Sequence, residues 1–297
     1  MIWKKKEKTP EELERERQKE IDRHIHKTGH KNSDGAKTHG EILRDQITEA
    51  LQTYDKSTSS ILLSSFTAGL EISFSFLLLC TFYFYLEGRV DQEEIFKSIS
   101  LVYPLGFILV VLGQSILFTE QTALLTLPVL NKKRSFPSMM KLWGLVITGN
   151  LTGGYFMSMV LVWLGPRLGI FEHSVVETIA LHVTHGTVPV VFVSAVIAGW
   201  LMGLLSWLLA SSRDTISRIV MIFLITSVLA FAGLHHSIIG SIEVFSGFLV
   251  SDQISFLDYL EFQSTALLGN SFGGAIFVAL LKYRAFVFNI GNLDRLK

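Results

Sequence analysis

From about residue 60 onward, long apolar stretches alternate with short polar ones. Each apolar stretch reaches the roughly 20 residues that a helix needs to cross a ~30 Å hydrocarbon layer. There are six: 60–86, 101–130, 143–164, 186–210, 216–250 and 263–282. The pattern predicts an all-α membrane domain of six transmembrane helices over residues 59–285. A partly helical N-terminal segment, 1–58, would precede this domain, and a short tail, 286–297, would follow it.

The second and fifth stretches are too long for straight helices and contain polar interruptions. The second spans 30 residues and includes GQSILFTEQT at 113–122, and the fifth spans 35 residues and includes GLHHSIIGS at 233–241. Straight helices of that length, at ~1.5 Å per residue, would overshoot the bilayer by several turns. Each stretch is therefore predicted to form two half-helices around a break. Backbone that leaves the helix at membrane depth must be covered by protein or line a water-filled cavity, so each break is expected to line one of these.

A short repeat follows each broken helix. GNLTGG occupies 149–154 and GNSFGG occupies 269–274, which divides the membrane domain into halves of three spans, about 60–164 and 186–285. Because each half has an odd number of spans, the second half enters the membrane from the opposite side. This is an inverted 3+3 repeat, in which paired broken helices build the substrate site near the midplane. Asn150 and Asn270 of the repeat are expected to bridge broken backbone, a structural role.

Charge sets the expected orientation. The first 58 residues contain 13 of the 26 Lys and Arg and 12 of the 26 Asp and Glu, and the chain carries no net charge. Basic residues cluster in loops that would share one side of the membrane: Lys132, Lys133, Arg134, Lys141, Arg213, Arg218, Lys282, Arg284, Arg295 and Lys297. The opposite loops carry only Arg89, Lys97 and Arg167. Positively charged loops are retained in the cytoplasm, so both termini are predicted to be cytoplasmic.

The remaining polar features change this picture little. The lone Cys80 excludes an intrachain disulfide and gives no metal-site spacing, so no metal, cofactor or nucleic-acid partner is expected. Within the N-terminal segment, 9–27 is a mixed-charge helix candidate, and 41–55 is amphipathic. The amphipathic stretch is expected either to lie against the membrane or the inner mouth of a pore, or to be a solvated tail.

Five segments resemble the formate/nitrite transporter family, and within it a divergent YfdC-like inner-membrane branch. They are FTAGLEIS (66–73), PLGFILVVLGQSILFTEQ (104–121), LWGLVITGNLTGG (142–154), FAGLHHSI (231–238) and LLGNSFGGAIFVAL (267–280). The resemblance implies an aquaporin-like fold and a homopentamer in the bacterial inner membrane, surrounded by lipid, with one pore in each protomer. It also implies a channel or proton-coupled transporter for small monovalent weak-acid anions.

The resemblance assigns the central pore histidine to His236, with His235 as its neighbour and Thr119 in the opposite break. A histidine there would pass a proton to a weak-acid anion, or would lower the barrier for the anion as imidazolium. The amino ends of the half-helices would supply free N–H groups. Alternatively, Thr119 satisfies only loop backbone and His236 bonds a neighbouring helix. The resemblance implies an apolar constriction formed by Tyr103, Phe107, Leu117, Phe118 and Leu229.

The chain departs from the family pattern at several positions. Where the family has a lysine, this chain has the region of Val183, which contains none. Where the family has an acidic residue before the central histidine, this chain has His235. Three additional acids, Glu71, Glu120 and Glu243, are expected either near the pore or at a protomer interface. These departures leave two alternatives, a pore for a small neutral or cationic solute and a non-conducting membrane scaffold or sensor. A metalloenzyme built on His235, His236 and Glu243 is disfavoured because the HExxH pattern is missing.

Overall fold

The structure, a computed structural model, describes residues 9–27 and 36–293, and these residues are almost entirely helical. A π-helical stretch, Gly273–Leu280, joins the last two helices. The helices are α1 (Pro10–Lys27), α2 (His39–Tyr54), α3 (Thr58–Leu86), α4 (Gln92–Ile99), α5 (Pro104–Leu112), α6 (Phe118–Leu124), α7 (Thr126–Leu130), α8 (Phe136–Leu168), α9 (His173–Thr184), α10 (Val188–Ser211), α11 (Thr215–Phe231), α12 (Ser237–Val250), α13 (Phe256–Phe272) and α14 (Leu281–Leu293).

The predicted six-span domain with two broken helices is confirmed. Five helical stretches are long and apolar enough to cross a membrane: α3, α4 with α5, α8, α10, and α13 continuing through the π-helical stretch into α14. The fifth predicted span is divided between α11 and α12, which have 17 and 14 residues and are each short for a crossing. The second span breaks between Leu112 and Phe118, and the fifth between Phe231 and Ser237.

Some helix boundaries differ from the apolar stretches. α8 begins at Phe136, seven residues before the predicted start, because the Ser135 side chain accepts a hydrogen bond from the Ser138 N–H and caps the helix. It ends where Gly169 adopts a left-handed backbone conformation, φ +65°. The short helices α4 and α9 were not predicted. α9 buries one apolar face, but its 12 residues are too few to register as a span.

The two halves of the membrane domain pack in the same way. α3 lies along α8 in the first half, and α10 lies along α13 and the π-helical stretch in the second. The repeated glycines permit this close approach. A Cβ on Gly153 would lie 2.1 Å from the Phe66 carbonyl oxygen, and a Cβ on Gly273 would lie 2.1 Å from that of Val196. After each break the chain crosses to the other half, since α6 packs on α10 while α12 packs on α8. The two breaks therefore meet between the halves.

The N-terminal helices pack on one end of this domain. α2 buries Ile42, Leu43 and Ile47 and packs against α7 and α10, so its amphipathic pattern faces protein. In α1, the Gln18 side-chain amide donates to Asn131 Oδ1 at 2.7 Å. Of the predicted N-terminal segment and C-terminal tail, residues 1–8, 28–35 and 294–297 lie outside the described residues.

Candidate functional site

The side chain of Asn150, on α8, holds the first break in place. Its Oδ1 accepts a hydrogen bond from the Phe118 N–H at 2.8 Å. Its Nδ2 donates to the carbonyl oxygens of Ser65 and Ile116, each at 2.8 Å. One buried amide thus supplies partners to backbone groups on both sides of the site, and one of these groups begins α6. This is the bridging that non-helical backbone needs at membrane depth.

Asn270, on α13, repeats this arrangement at the second break. Its Oδ1 accepts from the Ser237 N–H at 2.8 Å. Its Nδ2 donates to the Ala195 carbonyl at 2.8 Å and to the His235 carbonyl at 3.1 Å. The GN motifs of the repeat therefore mark two equivalent braces, and each connects a break to the first and third helices of its own half.

His236 occupies the position just before α12, and both of its ring nitrogens are engaged. Nδ1 accepts from the N–H groups of Ile238 and Ile239 at 3.3 and 3.4 Å. Nε2 lies 2.8 Å from Thr119 Oγ1 in the opposite break. An acceptor Nδ1 leaves the ring proton on Nε2, so the ring is neutral and donates to the threonine hydroxyl. Protonation of Nδ1 would aim an N–H at two other N–H groups, and this geometry opposes it.

The first amides of α12 have partners within the protein. Ser237 donates to Asn270, Ile238 and Ile239 donate to the His236 ring, and the Gly240 N–H donates to the His236 carbonyl at 2.9 Å. The expectation that α12 offers free N–H groups to an anion is therefore wrong. The groups that the two breaks present to each other are instead the His236 Nε2–H and the Thr119 hydroxyl, both buried.

A cavity of about 400 Å³, hereafter the histidine cavity, reaches the His236 side chain. It runs along α12, where His236, Gly240 and Glu243 line it, and Tyr103 and His235 line its other walls. The His235 ring is fixed at the cavity wall, since Nε2 donates to the Val183 carbonyl at 3.1 Å and Nδ1 lies 2.8 Å from Ser194 Oγ. His235 and His236 therefore point to different partners, and His236 is the one that reaches the opposite break.

A second cavity, of about 360 Å³ and hereafter the α2 cavity, lies against α2 and is lined by Glu120, Ile116 and several polar residues. Between Ile116 and Thr119 the chain carries Leu117 and Phe118. These two side chains are at most 1% exposed and line neither of the two cavities.

Two other members of the predicted constriction, Phe107 and Leu229, are also fully buried. The Phe107 ring stands edge-on to the His236 ring, with centroids 5.2 Å apart. Tyr103 differs from them because it lines the histidine cavity. Phe107, Leu117, Phe118 and Leu229 are thus buried apolar side chains that line neither of the two cavities.

The sequence model of the family described as "Formate/nitrite transporter" matches residues 40–284, which include α2, both breaks and both asparagine braces. The chain belongs to this family.

Three relatives, of which two are named as a transporter and a channel, share most of its length. Inner membrane protein YfdC of Escherichia coli K12 is 29% identical over 77% of this chain and 73% of its own length. Nitrite transporter NirC of the same organism is 25% identical over 73% of this chain and 80% of its own length. Formate channel BtFdhC of Bacillus thuringiensis is 24% identical over 83% and 95%, respectively.

Solved structures show the same fold. An FNT family ion channel superposes with a TM-score of 0.74 at 23% identity, over 82% of this chain and 98% of its own. A structure titled "Pentameric formate channel with formate bound" gives a TM-score of 0.67 at 19% identity, over 77% and 98%. As a member of the formate/nitrite transporter family with an all-helical, aquaporin-like fold, the chain is a multi-pass membrane channel or transporter rather than an enzyme.

The three additional acids occupy different environments in this family member. Glu243 lines the histidine cavity, and Glu120 lines the α2 cavity. Glu71, on α3, is half-buried, and its Oε2 has no hydrogen-bond partner among the residues that the structure describes. Its Oε1 would lie 3.0 Å from a Cβ placed on Gly113, at the start of the first break.

Sequence reasoning missed the charged part of the α2 cavity. Glu49 and Lys56, which flank the end of α2, line it together with Arg218 of α11. The amphipathic spacing of α2 was the only signal, and it identifies the buried face of the helix without identifying what the polar edge faces.

Proposed function

We propose that this family member is a channel or proton-coupled transporter for small monovalent weak-acid anions of the formate or nitrite type. Each protomer of a homopentamer would contain its own pore. The protein would lie in a bacterial inner membrane with both termini in the cytoplasm. The names of the relatives support the substrate class and the membrane, the pentameric neighbour supports the assembly, and the distribution of basic loops supports the orientation.

The observation that carries this proposal is the hydrogen bond between His236 and Thr119. It joins the two breaks where the histidine cavity ends and the apolar constriction begins. An anion that reaches this point loses water and meets the Thr119 hydroxyl, which donates its O–H to the anion while its oxygen accepts the His236 Nε2–H. Buried Phe107 and Leu229 raise the cost of a bare ion relative to a neutral acid. The arrangement therefore favours a substrate that can be protonated during its passage.

Flux into liposomes that contain the purified protein tests the proposal. We expect uptake of formate and nitrite, faster at acidic external pH, and little uptake of the uncharged analogue formamide. The variant Thr148→Ala on α8 should behave as the wild type, because the exposed Thr148 hydroxyl bonds only the Gly144 carbonyl of its own helix. Intact pentamers that move neither anion would contradict the proposal and would favour the non-conducting scaffold.

One observation favours a second candidate, a pore for a small neutral or cationic solute. Val183 occupies the region of the family's lysine, and the carboxyl groups of Glu243 and Glu120 line the two cavities. Carboxylates attract cations and repel anions. Methylammonium and urea in the same liposome panel distinguish the candidates, since uptake of either one without formate or nitrite would support this second function.

A further inference from the structure

Glu243 stands on the same face of α12 as the central histidine. The spacing 236, 240, 243 is helical, so the carboxyl lies about two turns, roughly 10 Å, along the helix from the imidazole. Gly240 has no side chain between them, and all three residues line the histidine cavity. The cavity floor therefore connects the carboxyl group to the imidazole, and a solute moving toward the constriction from the C-terminal end of α12 passes Glu243 before His236.

Within residues 9–27 and 36–293, the Glu243 carboxyl group is compensated by neither a cation nor a hydrogen-bond donor. Glu243 is only 6% exposed, and in the described part of the chain it has neither a hydrogen bond nor an ion pair. The one lysine that lines the cavity, Lys97, is bonded to Glu93 at 2.6 Å. The titratable groups on the surrounding elements are Cys80 of α3, Tyr103 before α5, His182 and His185 of α9 and its end, and His235 and His236 of the break. From α13, the Tyr259 hydroxyl bonds Ser241 of α12 instead, and from α8 the Tyr155 hydroxyl bonds Tyr259 while its ring packs on Phe245 of α12.

An uncompensated carboxylate in such surroundings is costly, whereas a carboxylic acid carries no charge and can donate its proton. His236 is poorly suited to this donation. Its Nδ1 accepts from two amides, and its single N–H is committed to Thr119. Two roles were expected of His236, a hydrogen bond across the break and the supply of a proton to the anion. The geometry leaves His236 with the first role and places Glu243 where it can take the second.

We propose that Glu243 is the proton-exchanging group of the pore, an inference that rests on the proposed anion transport. The Oε–H bond of the protonated side chain breaks, a new O–H bond forms on the weak-acid anion, and a glutamate carboxylate remains. The neutral acid continues past His236 through the apolar constriction. A hydronium ion from the external solution then reaches Glu243 through the histidine cavity and restores its Oε–H bond, which leaves water behind, so one proton accompanies each anion. The substrates selected are small anions with an oxygen that a carboxylic acid can protonate.

The test compares Glu243→Gln with wild type in liposomes loaded with a pH-sensitive dye. Formate uptake by the wild type should acidify the lumen and accelerate as external pH falls. Glutamine keeps the size of the side chain but cannot deliver this proton. Glu243→Gln should therefore lose at least about tenfold in the rate of proton-coupled uptake, and most of the pH dependence of that rate. A positioned acid contributes roughly 100-fold or more to the rate of a proton-transfer step, so a tenfold loss is well within its range. Glu261→Gln, which neutralises an exposed carboxyl on α13, is the matched control.

The outcomes separate this inference from the proposed function. Wild-type protein that moves no formate or nitrite would overturn both. Wild-type flux together with unchanged coupling and pH dependence in Glu243→Gln would overturn only the role of Glu243. Labelling of the folded wild type with a hydrophobic carbodiimide, which reacts with protonated buried carboxyls, needs no variant. Modification of Glu243 at neutral pH, reduced by formate, supports the proposal, and an unmodified Glu243 contradicts it.

Discussion

Replacing Asn270 with alanine should destabilise the protein far more than a change of one polar side chain usually does. The substitution removes three hydrogen bonds at once and leaves the Ser237 N–H and the carbonyl oxygens of Ala195 and His235 without their partners. The Ser237 N–H and the His235 carbonyl have no helical partner in exchange, because the break interrupts the helical ladder, whereas the Ala195 carbonyl lies within α10 and keeps its bond along that helix. The Asn270 side-chain amide therefore supplies hydrogen-bond partners that the backbone at the break does not provide.

The magnitude lies between two estimates. A hydrogen bond between membrane helices contributes on average about 0.6 kcal/mol, which gives roughly 2 kcal/mol for three. A buried group left without a partner costs about 1–3 kcal/mol, which gives roughly 2–6 kcal/mol for the Ser237 N–H and the His235 carbonyl. The second figure applies more closely, because the orphaned groups are backbone and cannot rotate toward another partner. Water from the adjacent histidine cavity offsets part of this loss, so we expect about 3 kcal/mol.

Equilibrium unfolding in mixed micelles, with increasing sodium dodecyl sulfate, measures the free energy of unfolding. Asn150→Ala should lose a similar amount, because Asn150 makes the same three bonds in the other half. Thr148→Ala, two residues away on the exposed face of α8, is the control. If Asn270→Ala unfolds within about 0.5 kcal/mol of this control, the proposed bracing of the break by the amide is refuted.

Two further predictions concern the central hydrogen bond and the N-terminal helix. Thr119→Val should reduce formate flux about tenfold, because the His236 Nε2–H loses its acceptor at a cost of about 1.4 kcal/mol. Thr119→Ser keeps the hydroxyl and should retain most of the flux. Equal formate fluxes of the two variants in liposomes would contradict this role of Thr119. Thr38→Ala should raise the rate of amide hydrogen exchange in α2 roughly fivefold, because it removes the capping box of that helix. In the wild type, hydrogen bonds from the Thr38 backbone N–H and hydroxyl lower the pKa of Glu41 below its ordinary 4.5. Because the pKa of Glu41 is lower in the folded state than in the unfolded state, the capping box stabilises α2 fully above pH 4.5, and this stabilisation is lost as the pH falls through the folded-state pKa. If the protection of α2 against amide exchange does not change between about pH 3 and 6, this prediction is contradicted.

Local patterns carried most of the fold. The length of an apolar stretch relative to the bilayer is a property of consecutive residues, so the spans and the two breaks are visible without any contact information. The same holds for the repeated GN motif, since the asparagines brace elements whose order is set by the inverted repeat. α4 and α9 were missed because amphipathic segments of 8 and 12 residues bury a face only against specific neighbours.

The amino-acid sequence by itself determined the six spans, the positions of the breaks and the presence of His236 and Thr119 within them, because these follow from local hydrophobicity and motif. Only the tertiary structure decided which nitrogen of His236 carries the proton, since that depends on amides of α12 and on a hydroxyl 117 residues away in the chain. It also decided that Glu243 faces the histidine cavity. The helical spacing fixes the side of α12 on which Glu243 lies, but whether that side faces a cavity depends on how the other helices pack around it.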